Sequence, residues 1–212
     1  TSSPITALEK LSQDEDSTVR QYVAENANCT LELLKKLSQD EDNFVRSAVA
    51  ENANCTSELL KKLSQDEDTW VRLAVAKNST CSDETLEILS NDEDRDVVMA
   101  ALHGLFKNNP KLIEKFLKSD NKYHLYGIAD YEGTPENILL DIALGSDHFA
   151  TSFAVGNISL SANSLKKVFE EKLQAGLGKD DQVGEMDSIA DHMAGNDNLS
   201  TEVLDQLASW QL

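Results

Sequence analysis

Basic residues are scarce in this sequence: 19 Lys and Arg stand against 38 Asp and Glu, a net charge of −19. Such a chain repels the phosphates of nucleic acids and anionic membrane surfaces, so neither is expected as a partner. Long apolar runs are missing too, and none approaches the roughly 18 consecutive residues of a membrane span. The opening TSSPITALEK has neither the basic nor the apolar region of a signal peptide. Cysteine is limited to Cys29, Cys55 and Cys81, an odd number that favours a reducing compartment. A soluble, cytoplasmic chain is the expectation. What is present is an ordinary globular composition, 40% hydrophobic and 27% charged, which excludes a fully disordered chain and allows a sizeable core.

Sliding the sequence against itself reveals its organisation. VRQYVAENANCTLELLKKLSQDED begins at Val19, VRSAVAENANCTSELLKKLSQDED at Val45 and VRLAVAKNSTCSDETLEILSNDED at Val71, an offset of 26 residues each time. Val97 keeps the register, and after a one-residue insertion YGIADYEGTPENILLDI, from Tyr126 to Ile142, follows the same template. FAVGN, from Phe153 to Asn157, is in phase with it. ADHMAGNDNLSTEVLDQLA, from Ala190 to Ala208, matches the segment from Arg46 to Ser64. Pro4-Ile5 and Leu8–Leu11 align with Thr30-Leu31 and Leu34–Leu37, so the first unit is only a second half. About seven units result: regular repeats over 5–96, divergent ones over 97–169, an inserted loop over 170–186 and a terminal repeat over 187–212.

Within a unit, Val45, Ala48 and Val49 have helical spacing, and Leu59, Leu60 and Leu63 form a second helical face. Two short helices per repeat follow. Asp42 and Asp68 stand where a carboxylate would cap the first helix; Thr30, Thr56 and Ser82 can cap the second. Asn26, Asn52, Asn78, Asn157 and Asn196 recur just after the first helix, where a left-handed residue would close it. Helices this short must bury their apolar faces on neighbouring units, giving an all-α solenoid with an extended surface.

The VRxxVAxN segment, the Leu-rich helix and the Asp-x-Asp turn resemble the leucine-rich repeat variant family, relatives of HEAT-type helical repeats. The resemblance covers most of the chain. It implies a right-handed α/α superhelix without β-sheet, in which short α and 3₁₀-like helices alternate. The family often has proline around the positions of Ala27-Asn28 and Cys29-Thr30, and only Pro135 supplies one near the corresponding turns here. The Cys-rich, cluster-binding segment of some members has no counterpart.

Three constellations could carry chemistry. Cys29, Cys55 and Cys81 occupy one repeat position, so stacked helices would hold consecutive thiols roughly 8–10 Å apart, too far to bridge or to share a metal. Thr134, Leu160 and Leu199 take that position elsewhere, which fits core thiols and not ligands. The acidic clusters Asp14-Glu15-Asp16, Asp40-Glu41-Asp42, Asp66-Glu67-Asp68 and Asp92-Glu93-Asp94 return in every regular unit. One Asp of each is expected to cap a helix and another to pair with Arg20, Arg46 or Arg72, leaving Glu15, Glu41, Glu67 and Glu93 freer. Calcium between neighbouring clusters is the alternative, although the Gly and twelfth-position Glu of an EF-hand loop are missing; magnesium fits less well. Thirdly, Thr18, Phe44, Trp70, Asp96, Tyr123 and Phe149 each precede the Val position or its equivalent. Either these aromatics pack across the helix start onto the preceding unit, or they line a groove for a basic peptide.

The remaining features are blander. Lys107, Lys111, Lys115, Lys118 and Lys122 form a basic island that reads as intramolecular neutralisation or a hinge before it reads as a docking patch. LQAGLGKDDQVGE breaks the period with three glycines and reads as a mobile loop; its Gly176-x-Gly178-Lys179 lacks P-loop spacing. The triplets at Asn28, Asn54 and Asn78 are by-products of the repeat. His103, His124, His148 and His192 fall at different repeat positions, with no nucleophile paired to a base, so no enzyme and no cofactor are expected. The expectation is a protein-interaction scaffold that takes a basic or amphipathic protein or peptide on Phe44, Trp70, Tyr123, Phe149, Glu41, Glu67 and Glu93. The alternatives are a calcium- or metal-responsive module built on the acidic clusters, and a structural repeat array of a longer protein.

Overall fold

The computed structural model describes residues 4–173 and 183–210, and every element among them is helical. The chain divides into two compact units, Thr1–Asn108 and Asn109–Leu212. The first contains α1 (Pro4–Leu11), α2 (Ser17–Glu25), α3 (Leu31–Leu37), α4 (Asn43–Glu51), α5 (Ser57–Leu63), α6 (Thr69–Lys77), α7 (Asp83–Leu89) and α8 (Arg95–Asn108). The second contains α9 (Leu112–Phe116), α10 (Lys122–Asp130), α11 (Glu136–Leu144), α12 (His148–Gly156), α13 (Ala162–Val168), a π-helical turn (Phe169–Leu173), α14 (Val183–Ala194) and α15 (Thr201–Trp210). The centre of the inserted loop, 174–182, lies outside the described residues, as does Gly176-x-Gly178-Lys179; its flanks at 170–173 and 183–186 are helical.

Local chemistry starts the helices of the regular repeats. Asp16, Asp42 and Asp68 are extended residues whose carboxylates accept from the amides of Thr18, Phe44 and Trp70. Thr30, Thr56 and Ser82 do the same for Leu33, Leu59 and Thr85. The second helices are α-helical over seven residues, not the 3₁₀-like turns that the resemblance implies. Their leucines and lysines favour the α-helix, and the hydroxyl cap at its start satisfies an otherwise orphaned amide.

Packing then joins the units. The first helices stack in sequence, α2 on α4 and α4 on α6; in the second unit α10 packs on α12 and α12 on α14. Val45, Val49, Val71, Val75, Leu34 and Leu60 are fully buried along the first unit, and Ile128, Leu139, Val155, Leu165 and Val168 along the second. Cys29, Cys55 and Cys81 are buried, free thiols, and Thr134, Leu160 and Leu199 are buried at the same repeat position. Desolvation pushes the Cys55 and Cys81 thiols up to about 11, which keeps them protonated and poor as nucleophiles or ligands at neutral pH.

The asparagine column ends the first helices differently from expectation. Asn26, Asn52, Asn78 and Asn157 are extended, not left-handed, with φ between −67° and −72° and ψ between 123° and 130°. The extended backbone turns the amide side chain toward the preceding unit. Asn52 Nδ2 donates to the carbonyls of Ala24 at 2.6 Å and Asn26 at 3.2 Å, while its Oδ1 accepts from Asn54 N at 2.8 Å. Asn78 repeats this on Ala50 and Asn52, Asn157 on Ala129 and Tyr131, and Asn196 on Val155 and Asn157. Each amide thus fills carbonyls left open at a neighbouring helix end. Gly104 and Tyr131 replace asparagine at the two intervening positions. At the first, α8 runs on for 14 residues, and a Cβ on Gly104 would lie 2.9 Å from Leu86 Cδ1.

Asn52→Ala strands buried carbonyls and is expected to cost about 1–3 kcal/mol in chemical denaturation. Asn26→Ala, at an exposed member of the column, should cost under about 1 kcal/mol. Equal losses would show that the inter-unit bonds contribute nothing.

Candidate partner-binding face

The turn before each first helix in the first unit holds an acidic cluster, those of α4 and α6 are followed by Phe44 and Trp70, and the members divide by role. Arg46 donates through Nε and Nη2 to Asp66 Oδ2 and Oδ1, both at 2.8 Å, and through Nη1 to the carbonyls of Asp40 at 2.9 Å and Glu41 at 3.1 Å. Arg20 makes the same bidentate bridge to Asp40, and Arg72 to Asp92. The guanidinium therefore holds its own turn and the next unit's turn together, a geometry that lysine cannot reproduce.

Within the same clusters, Asp40 Oδ1 accepts from Asp42 N and Asp66 Oδ1 from Asp68 N, while the second Asp caps the helix. Asp68 also takes the Asn43 amide at 2.6 Å. Desolvation pushes the Asp40 and Asp66 carboxyls upward, but the Arg20 and Arg46 hydrogen bonds, the backbone amides and the nearby positive charges together outweigh it. Both carboxyls are held below the ordinary carboxylate range.

The middle residue of each cluster lies at the solvent-exposed edge of this network. The Glu41 and Glu93 side chains are 92% and 90% exposed, with single oxygens 4.0 Å from Arg20 Nη2 and 3.7 Å from Arg72 Nη2. Glu15 and Glu67 are exposed as well. An open groove between neighbouring turns is lined by Glu41, Asp42, Asn43, Arg46, Glu67 and Asp68. Its aspartates, Asp42 and Asp68, are engaged by backbone amides and, at Asp68, by the Asn43 side chain, and no metal-holding group of three His, Cys, Asp or Glu occurs among the described residues.

Phe44 and Trp70 are 61% and 65% exposed, so they do not pack away across the helix start. Each follows an exposed glutamate by three residues, and its own amide is the one capped by the cluster's last aspartate. The second unit treats the column differently. Phe149 is 68% exposed, yet its ring lies 6.2 Å from that of Tyr126, which also packs against Tyr123 and Phe153 at 6.0 and 5.9 Å. Tyr123 is half-buried and already has Lys122 Nζ over its ring at 5.3 Å. Asp147 caps α12 through the Ala150 amide and accepts from the Tyr126 hydroxyl at 3.3 Å. The predicted residues thus divide: Phe44, Trp70, Glu41, Glu67 and Glu93 lie on the repeated turns of the first unit, whereas Tyr123 and Phe149 join an aromatic cluster of the second.

One exposed aromatic escaped the sequence reading. Tyr22, 65% exposed, stands where later units carry the buried Ala48 and Ala74, so its departure from the repeat was the available signal. The basic island spans the division between the units, and Lys115 lies over the Phe116 ring at 5.2 Å. His124 is buried edge-to-face against Phe116 at 4.8 Å, a packing role.

Because the folded Asp40 and Asp66 values are depressed, their contribution is complete above the unfolded carboxyl value of about 4 and is lost as pH falls through the folded value. The melting temperature should therefore drop on acidification below about pH 4, and Asp66→Asn should show a shallower drop. Arg46→Leu, which leaves Asp66 buried and unpaired, is expected to cost about 3–5 kcal/mol by denaturant titration at neutral pH. A loss under about 1 kcal/mol would mean that solvent replaces the guanidinium.

No protein-family model matches the chain. No curated protein matches it. Among solved structures, one described as a leucine-rich repeat variant with a novel repetitive protein structural motif is similar to it at a TM-score of 0.55 and 25% sequence identity. The alignment covers 90% of this chain and 72% of that one. The likeness to leucine-rich repeat variant proteins, first carried by a 26-residue motif, is therefore matched by the three-dimensional fold.

Proposed function

We propose that this chain is a non-catalytic protein-interaction scaffold whose acidic, aromatic-dotted turns bind a basic or amphipathic segment of another protein. A helical-repeat fold supports the coarse part of this reading, since such arrays present extended surfaces instead of enclosed pockets. One observation carries the finer part: Phe44 and Trp70 are exposed on turns that also carry the solvent-exposed Glu41 and Glu67. An exposed indole or phenyl face flanked by carboxylates attracts a lysine or arginine both as a cation and as an apolar stem. The partner's cations would lower the self-repulsion of a chain with a net charge of −19, and the charge would also steer encounter.

No helix among the described residues is long and apolar enough to cross a membrane. The three cysteines are buried, and desolvation pushes the Cys55 and Cys81 thiols up to about 11, which leaves those two protonated and poor nucleophiles at neutral pH.

The test is retention of basic proteins and peptides on the immobilised chain at low salt, eluted by a salt gradient. Retention that weakens with salt and falls by roughly thirtyfold in affinity in a Phe44→Ala/Trp70→Ala double variant supports the reading. Both side chains are exposed, so the variant should keep its helicity. Retention indifferent to salt and to both substitutions would overturn it.

A further inference from the structure

Leu11 is uncovered where the repeat otherwise buries a leucine. It is 42% exposed, whereas Leu37, Leu63 and Leu89 at the same position are 2%, 3% and 1% exposed. Beside it an open hollow of about 570 Å³ is lined by Lys10, Leu11, Gln13, Asp14 and Glu15. We infer that this hollow takes the arginine of an amphipathic helix of another protein, docked on the open end of the first unit's stack. Phe44 and Trp70 play no part in it.

The occupant of such a hollow is visible three times within the same fold. One repeat later its counterparts are Lys36, Leu37, Gln39, Asp40 and Glu41. There Arg20, from the preceding first helix, donates to both Asp40 oxygens at 2.7 Å and lies 4.0 Å from Glu41. Arg46 is seated in the same way on Asp66, and Arg72 on Asp92 with Glu93 at 3.7 Å. Asp14 is prepared as Asp40 is: its Oδ1 accepts from Asp16 N at 3.0 Å, and that of Asp40 from Asp42 N at 3.1 Å. Arg20 meets Asp14 only at its carbonyl, at 2.8 Å, and no guanidinium reaches the Asp14 carboxylate among the described residues. Arg20, Arg46 and Arg72 are committed to the next unit's aspartate and Arg95 pairs with Asp96 at 3.0 Å, so a second copy has no free arginine to offer.

The rest of the end face shows the same gap. Val19 is half-buried where Val45, Val71 and Val97 are fully buried. Tyr22 is 65% exposed where Ala48 and Ala74 are 3% and 4% exposed, and it adds an aromatic ring to the surface. Asn26 Oδ1 accepts from Asn28 N as Asn52 Oδ1 does from Asn54 N. Its Nδ2 finds no carbonyl among the described residues, whereas those of Asn52 and Asn78 each donate to a pair of carbonyls in the preceding unit. Val19, Tyr22 and Asn26 follow one another at helical spacing, so they share one face of α2 and its cap. A docked helix would lay an apolar stripe on Val19 and Tyr22, seat an arginine from near its start on Asp14 and offer its last carbonyls to Asn26. These are the contacts that α2 gives α4 through Arg20 and the carbonyls of Ala24 and Asn26.

The experiment follows a labelled peptide copying residues 43–54, held helical by a hydrocarbon staple, as it binds the full chain in fluorescence anisotropy. The peptide should bind about tenfold more tightly than its Arg46→Lys form, since an ammonium cannot bridge both carboxylate oxygens. Asp14→Asn in the chain should remove that preference, and Leu11→Ser should weaken both peptides about threefold. Asp14 has no ion pair to lose, and circular dichroism checks that the variant keeps its helicity. Phe44→Ala/Trp70→Ala in the chain should leave binding unchanged, which separates this site from the aromatic turns. Absence of binding, or equal binding of the two peptides with no response to Asp14→Asn, would overturn the docking site. A dimer of the full chain in sedimentation equilibrium that Asp14→Asn dissociates would make the occupant a second copy and overturn the assignment to another protein.

Discussion

Arg20, Arg46 and Arg72 each hold three things at once: the carbonyls of their own turn, the carboxylate of the next turn and the start of their helix. An isolated surface ion pair contributes little, but the Arg46–Asp66 bridge is bidentate and largely removed from solvent, and backbone groups satisfy the remaining donors. The asparagine column acts at the opposite end of the same helix. Asn52 ties the close of α4 to the preceding unit while Arg46 ties its opening to the next. A helix of nine residues, too short to be stable alone, is thereby fixed at both ends as well as along its buried valines.

This division of labour explains how so acidic a chain folds. In the clusters at 40–42, 66–68 and 92–94 the first aspartate balances a guanidinium and the last caps a helix, so two of three negative charges meet a donor inside the fold. The remaining glutamate faces solvent and makes the excess charge of the surface. Exposed carboxylates that recur from turn to turn repel one another.

The second unit keeps the helical pairing but not the surface. Its asparagines at 157 and 196 still reach back across the stack, and caps at Asn121, Asp147 and Ser161 still start helices. No arginine recurs there, and the column before the first helix turns into a cluster around Tyr126. Stacking survives loss of the Arg–Asp bridge because apolar burial and the amide bonds remain; the spaced, exposed charges do not survive it.

The period of 26 residues, the two helices of each unit, the aspartate and hydroxyl caps and the core cysteines were all legible in the sequence, since each depends on residues within one repeat. The clusters also announced that one carboxylate would cap and another would pair. Three matters were decided by tertiary structure. The asparagines close their helices with an extended backbone because their amides have carbonyls of another unit to fill, which no local rule anticipates. Phe44 and Trp70 are exposed and Tyr123 is not, because exposure depends on which neighbouring helix covers a ring, and the same repeat position meets a different neighbour in each unit. Tyr22 is exposed for that reason too: repetition within the chain specifies how a unit folds, but only the assembled stack determines what each unit's surface leaves uncovered.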